Sequence, residues 1–316
     1  MEAAIEASES SRASGDQQGA RPIRACPNSG VLECAGMKTR IRLVAIDIDG
    51  TLLDSRFQLS DANRRAVRAA HERGAEIVLV TGRRFTFARP IAAQFSLPLT
   101  VIASNGALVK SEDGRTLWRQ LLPRAQARAV LAAAGPFRER ALLLFDREAA
   151  GQIVVENLDP RHAPVDGYFE RNRAYLLQVE RLEDALTEDP IQVLFAGPVA
   201  PLRELDELLR RAPCAGAISV TRTEYPQRDF TLLDVLDRGC NKGRALARYA
   251  AARGFAREET LAIGDNWNDR EMLEFAGLAV VMGNSDAELR QAGWALTASN
   301  DEDGVALALE KFLLSA

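Results

Sequence analysis

Two aspartates at alternate positions, Asp47 and Asp49, close an apolar run that starts at Leu43 and breaks at Gly50. The run has the length and β-branched content of a strand buried on both faces, and open α/β sheets collect ligands beyond the carboxyl ends of such strands. Taken alone, an Asp-x-Asp-Gly stretch also reads as an ordinary turn. A second acidic strand end bears on the choice: Leu261-Ala262-Ile263 runs into Gly264-Asp265-Asn266-Trp267-Asn268-Asp269. Asp47, Asp49, Asp265 and Asp269 then offer hard oxygen donors at two neighbouring strand ends, with no histidine or cysteine close by in sequence. That donor set favours Mg²⁺, and without a cation the carboxylates would repel one another.

Donors suited to an anion stand beside these acids. A strand over Glu76 to Val80 ends in Thr81-Gly82-Arg83, which delivers a hydroxyl, a flexible turn and a guanidinium. Lys242 opens a helix at Asn241-Lys242-Gly243. A cation is disfavoured at the positive end of a helix dipole, so a lysine there implies a compensating anion or carboxylate nearby. Thr81, Gly82 and Lys242 together supply the hydroxyl, backbone N–H groups and ammonium that a phosphoryl group needs.

Composition bounds the setting for this chemistry. The 316 residues exceed the usual single core and imply one large or two unequal domains, and 47% apolar content is ample to fill them. Forty basic against 44 acidic residues leave a charge of −4, which gives no overall footprint for nucleic acid or an anionic membrane. Cys26, Cys34, Cys214 and Cys240 lack zinc or disulfide spacing, so a reducing cytoplasm is expected. Of the two histidines, His71 falls on a helix surface and His162 in a Pro-flanked loop, so carboxylate chemistry gains by elimination. No apolar run is long enough to span a bilayer. Residues 1–36 read as a disordered tail, with Met37 as an alternative start.

The elements that must hold these residues follow a βαβ rhythm. Ser60 caps a helix stopped by Gly74; strands follow at Glu76 to Val80 and Thr100 to Ala103, the latter ending in Ser104-Asn105-Gly106-Ala107. After about Ser111 the pattern shifts to short strands with few helices, which argues for an antiparallel sheet with helices on one face. Gln152 to Glu156, Ile191 to Phe195 and Phe230 to Val235 are among these strands, Pro201 to Arg211 is an amphipathic helix, and Glu180 to Asp189 is a solvated helix or loop. The parallel rhythm resumes at Asn241. The fold class is α/β, a Rossmann-like parallel core from 37–112 and 236–316 carrying an inserted α+β cap over 113–235.

Four stretches in this order, Asp47-Ile48-Asp49-Gly50-Thr51, Thr81-Gly82-Arg83, Lys242-Gly243 and Gly264 to Asp269, resemble the motifs of the haloacid dehalogenase (HAD) superfamily of phosphatases. Ser104 to Ala107, Val281-Met282-Gly283-Asn284 and Asn300-Asp301-Glu302-Asp303-Gly304-Val305 look like its Cof-type branch, subfamily IIB. The resemblance implies that Asp47 is a nucleophile forming an aspartyl phosphate and that Asp49 is the acid and base. It implies Mg²⁺ at the Asp47 carboxylate, the Asp49 carbonyl and Asp265, supported by Asp269, with the Asp49 carboxyl left free to carry a proton. Thr81, Gly82 and Lys242 would hold the phosphoryl oxygens; Thr51, Arg83, Asn105 and Asn268 match supporting positions. Trp267 is expected to be a packing aromatic. The expected activity is Mg²⁺-dependent hydrolysis of a small phosphorylated metabolite, such as a sugar phosphate, without nucleic acid or membrane partners. A phosphomutase using the same aspartyl phosphate and a non-catalytic binding module on this fold are the alternatives.

Overall fold

The computed structural model describes residues 40–159, 168–225 and 229–315. The expected tail and start site, Cys26, Cys34 and His162 all lie outside the described residues. Fourteen strands are present among those described: β1 (Leu43–Asp47), β2 (Glu76–Val80), β3 (Thr100–Ala103), β4 (Leu108–Ser111), β5 (Thr116–Arg119), β6 (Ala141–Leu144), β7 (Ile153–Val155), β8 (Leu176–Gln178), β9 (Gln192–Gly197), β10 (Ile218–Tyr225), β11 (Phe230–Asp237), β12 (Thr260–Gly264), β13 (Leu278–Val281) and β14 (Ala295–Leu296).

They form two sheets. The first has the order β14-β13-β12-β1-β2-β3-β4-β5 and is parallel from β14 to β3, with β4 and β5 added antiparallel at one edge. β1 sits near its centre and is buried along its whole length because both faces are covered. Val44 and Ile46 pack on one side with Leu79, Val101 and Ile263. Leu43 and Ala45 pack on the other with Leu246, Met272 and Leu273 from helices Lys242–Arg253 and Arg270–Phe275. The α/β core with its parallel sheet is the architecture the sequence implied. Because β1, β2, β3 and β12 run in one direction, their polar ends open on one edge.

The second sheet has the order β10-β11-β9-β6-β7-β8. Its strands pair antiparallel except for β7 with β8, which run parallel where an antiparallel pair was expected. One face packs its Leu143, Val193, Phe195 and Val235 on Val130, Leu202 and Leu205 of helices Arg124–Ala133 and Val199–Arg211. The opposite face, with Leu142, Leu144, Ile153 and Leu194, joins the same apolar cluster as the first sheet. That second sheet therefore lies over the first.

Three details depart from the sequence expectation. The first sheet runs on to Arg119, past the division drawn at 112, because β5 is an exposed edge strand without an apolar run to announce it. The stretch from Glu180 to Asp189 contains a short helix, Leu182–Ala185, and buries Leu182 and Leu186 under the second sheet. His71 is half-buried rather than fully solvated, its Nδ1 3.3 Å from the Ala75 carbonyl.

Candidate active site

Lys242 organises the site. Asn241 caps its helix by accepting the Arg244 N–H at 2.7 Å, which puts Lys242 in the first turn, facing the end of β1. Its ammonium donates to Asp47 Oδ1 and to Asp269 Oδ1, each at 2.6 Å. Asp47 is 4% exposed and Lys242 2%. The anion that the position of Lys242 implied is thus this pair of carboxylates. Burial opposes the charge on Lys242, but Asp269 and Asp47 outweigh it and hold the ammonium firmly protonated.

Asp269 is spent on structure. Its Oδ1 takes Lys242, and its Oδ2 accepts the backbone N–H groups of Asp265 and Asn266 at 3.1 and 3.0 Å. This closes the turn that follows β12. Asp265 is oriented by the Thr51 hydroxyl, which donates to its Oδ1 at 2.8 Å. Gly50 crosses so close to Asp265 that a side chain there would meet Oδ2 at 2.3 Å, and its φ of +78° suits glycine.

Asp47, Asp265 and Asp269 bring ligand oxygens within 4.8 Å of one another. Burial and repulsion from Asp269 push Asp47 well above the ordinary carboxylate range and push Asp265 up to about 7. A donor set of hard oxygens, crowded, buried and short of positive charge, fits a divalent cation. Asp49 is not part of this trio. Its carboxylate is gripped by Arg83, with Nε to Oδ2 at 2.7 Å and Nη2 to Oδ1 at 2.5 Å. The Asp49 carboxyl stands apart from the acidic trio but has a partner that the sequence did not announce: a planar guanidinium two residues after Thr81 matches the carboxylate fork and takes both oxygens.

The turn after β2 is held against the turn after β3. Thr81 is fully buried; its N–H bonds the Ile102 carbonyl at 2.8 Å and its hydroxyl accepts the Arg83 N–H at 3.0 Å. Ser104 and Asn105 have positive φ values of 50° and 52°, backbone strain that clusters at functional sites. The Asn105 N–H bonds the Thr81 carbonyl at 3.0 Å, and its side chain lies against Gly82. Its Oδ1 accepts from Asn268 Nδ2 at 3.3 Å. Every site residue expected from the sequence therefore lies along one edge of the first sheet.

One member was missed, and two stretches already matched to the Cof-type branch take part as well. Asp234, on β11 of the second sheet, accepts from Asn105 Nδ2 at 3.2 Å and from Gln192 Nε2. It is buried, and that burial pushes its carboxyl up to about 7. An acid between Leu233 and Val235 in an apolar strand was a readable signal. Asn284 donates to the Gly50 carbonyl at 2.8 Å and Asn300 to the Leu53 carbonyl at 2.9 Å, so the C-terminal loop braces the turn after β1. Trp267 is corrected too: it is 37% exposed and outside the core.

Comparison with known proteins agrees with this geometry. Residues 44–309 match the family model described as haloacid dehalogenase-like hydrolase. Phosphatase YwpJ of Bacillus subtilis is 30% identical over 292 residues, covering 86% of this chain and 100% of the relative. An HMP-PP phosphatase of Serratia proteamaculans is 31% identical over 249 residues, covering 79% and 86%. The crystal structure of a haloacid dehalogenase-like hydrolase from Bacteroides thetaiotaomicron superposes with a TM-score of 0.71 at 28% identity, covering 86% of this chain and 99% of that one. The chain belongs to the haloacid dehalogenase-like hydrolases, and within them to the Cof-type branch of phosphatases. No helix among the described residues is long and apolar enough to cross a membrane.

Proposed function

We propose that the protein hydrolyses phosphate monoesters of small metabolites through an aspartyl phosphate on Asp47. The observation that carries this reading is the buried triangle of Asp47, Lys242 and Asp269 next to Asp265. Mg²⁺ would be the ion, held by Asp47, Asp265 and the Asp49 carbonyl, with Asp269 bracing them. When bound, it supplies positive charge that screens the carboxylates and the phosphoryl oxygens.

The chain's own groups carry the steps. The Asp47 carboxylate attacks phosphorus as the ester oxygen leaves, and Asp49 gives that oxygen a proton. Asp49 then takes a proton from the water that attacks the acyl phosphate, which returns Asp47 and releases inorganic phosphate. Arg83 fixes the Asp49 carboxylate for both transfers. Thr81, the Gly82 N–H and Lys242 hold the phosphoryl oxygens. Residues beyond the first sheet, about 120–235, act as a cap whose sheet closes over the site and excludes water. Buried free thiols at Cys214 and Cys240 suit a reducing cytoplasm.

Relatives named as HMP-PP phosphatases support a small phosphorylated metabolite as substrate. The test is a panel of phosphate monoesters incubated with purified protein and Mg²⁺, read as inorganic phosphate. Release from some members supports hydrolysis; no release from any, activated aryl phosphates included, contradicts it. Isomerised ester without free phosphate would mark a mutase instead.

A further inference from the structure

Resting on the phosphatase reading, we propose that Trp267 is a specificity-determining residue, whose indole receives an uncharged ring on the leaving group of the substrate. A cleft of about 140 Å³ adjoins Lys242 and runs between the two sheets, with Arg222 of β10 on one wall and Trp267, Asn268 and Glu271 on the other. A phosphoryl group held by Lys242 needs space for its ester substituent, and this cleft, which Lys242, Asn105 and Asn268 line, adjoins that residue.

The charges along the cleft define what fits. Arg222 pairs with Asp206 and Glu224, each at 2.8 Å, acids it shares with Arg210 and Arg203, while Lys242 is neutralised by Asp47 and Asp269. Glu271 has no cationic partner among the described residues and lies in the same cleft as Trp267, so it disfavours a negative charge on a ring stacked there. Asn105 and Asn268 supply amide hydrogen bonding. Trp267 supplies the apolar surface: the residue is 37% exposed and lines this polar cleft. The Arg270 guanidinium stands 5.8 Å from the ring centroid and is tied to Glu274 at 2.8 Å, which holds the indole from its own side. An exposed tryptophan at the mouth of a polar cleft offers stacking to a flat aromatic ring or to the apolar face of a sugar.

The experiment compares wild type, Trp267→Ala and Trp267→Phe on phenyl phosphate, a hexose phosphate and glycerol phosphate. For the ring esters, Trp267→Ala is expected to lower kcat/KM about tenfold or more, mainly through KM, while Trp267→Phe recovers much of it. Glycerol phosphate, which has no ring, changes by less than about twofold. A fall in either ring arm alone supports the subsite and identifies the ring it reads. An equal fall on all three esters, or none on the ring esters, overturns it. A readout free of turnover is tryptophan emission on adding phenyl phosphate to the Asp47→Asn protein. The emission change is expected to vanish when Trp267→Phe is added, and its persistence overturns the proposal. A wild type that releases no phosphate from any ester counts against the phosphatase reading, and the emission measurement still decides the subsite.

Discussion

Lys242 Nζ lies 2.6 Å from Asp47 Oδ1, although 195 residues separate the two in the chain. Both are almost fully buried, and the same ammonium also satisfies Asp269. Removing one member of such a group leaves a buried charge without its partner, at a cost of about 3–5 kcal/mol. Lys242→Met is therefore expected to lower the unfolding midpoint substantially and to lower kcat by about a hundredfold or more, as loss of a charge stabiliser does. Denaturant unfolding and phosphate release measured on one preparation check both effects.

Arg83 and Asp49 form the second pair, at the exposed side of the site. Arg83→Gln leaves the Asp49 carboxylate in place but frees it to rotate. We expect kcat to fall about ten- to a hundredfold, a part of what general acid catalysis contributes, with KM changed far less. Asp49→Asn should fall further. Steady-state kinetics on one good substrate separates the two, and an Arg83→Gln enzyme with wild-type kcat would mean the pair has no part in positioning the acid.

Gly50 tests the backbone crossing over Asp265. Ala at this position must place a Cβ 2.3 Å from Oδ2 while holding φ near +78°. The expected cost is about 1–3 kcal/mol of stability, together with weaker Mg²⁺ activation because Asp265 must move. Thermal unfolding and a Mg²⁺ titration of activity read these separately.

Asp234 predicts a pH dependence. Its folded value is pushed up to about 7 by burial, against an ordinary value of 3.8. Between those limits the folded state binds more protons than the unfolded state, so this group makes stability fall as pH rises through that window and costs most above about 7. Asp234→Asn should remove that slope. The stability difference between variant and wild type is expected to shift in favour of the variant by up to a few kcal/mol from around pH 4 to 7, since each unit is worth about 1.4 kcal/mol. Urea midpoints across the window check it, and a constant difference would contradict the assignment.

The strands that carry the site were readable because burial on both faces leaves an apolar run with a polar end, as at Leu43 to Asp49 and Leu261 to Asp269. Lys242 was readable because a cation in the first turn of a helix demands an anion. β5 was not, since only Trp118 of its side chains is even half-buried and an exposed edge leaves no pattern. β14, with two residues, is too short to leave one. The Arg83 grip on Asp49 depends on how two turns approach each other, which spacing along the chain does not encode. The contact from Asp234 to Asn105 crosses from one sheet to the other over 129 residues, and only packing reveals it.

The central claim is that Asp47 attacks phosphorus, and the turnover of Asp47→Asn tests it most directly. With circular dichroism matched to wild type, the account predicts a loss of at least about a thousandfold in phosphate release, the scale seen when a nucleophile is removed. Turnover within about tenfold of wild type would contradict it, because an amide cannot form the acyl phosphate on which hydrolysis depends.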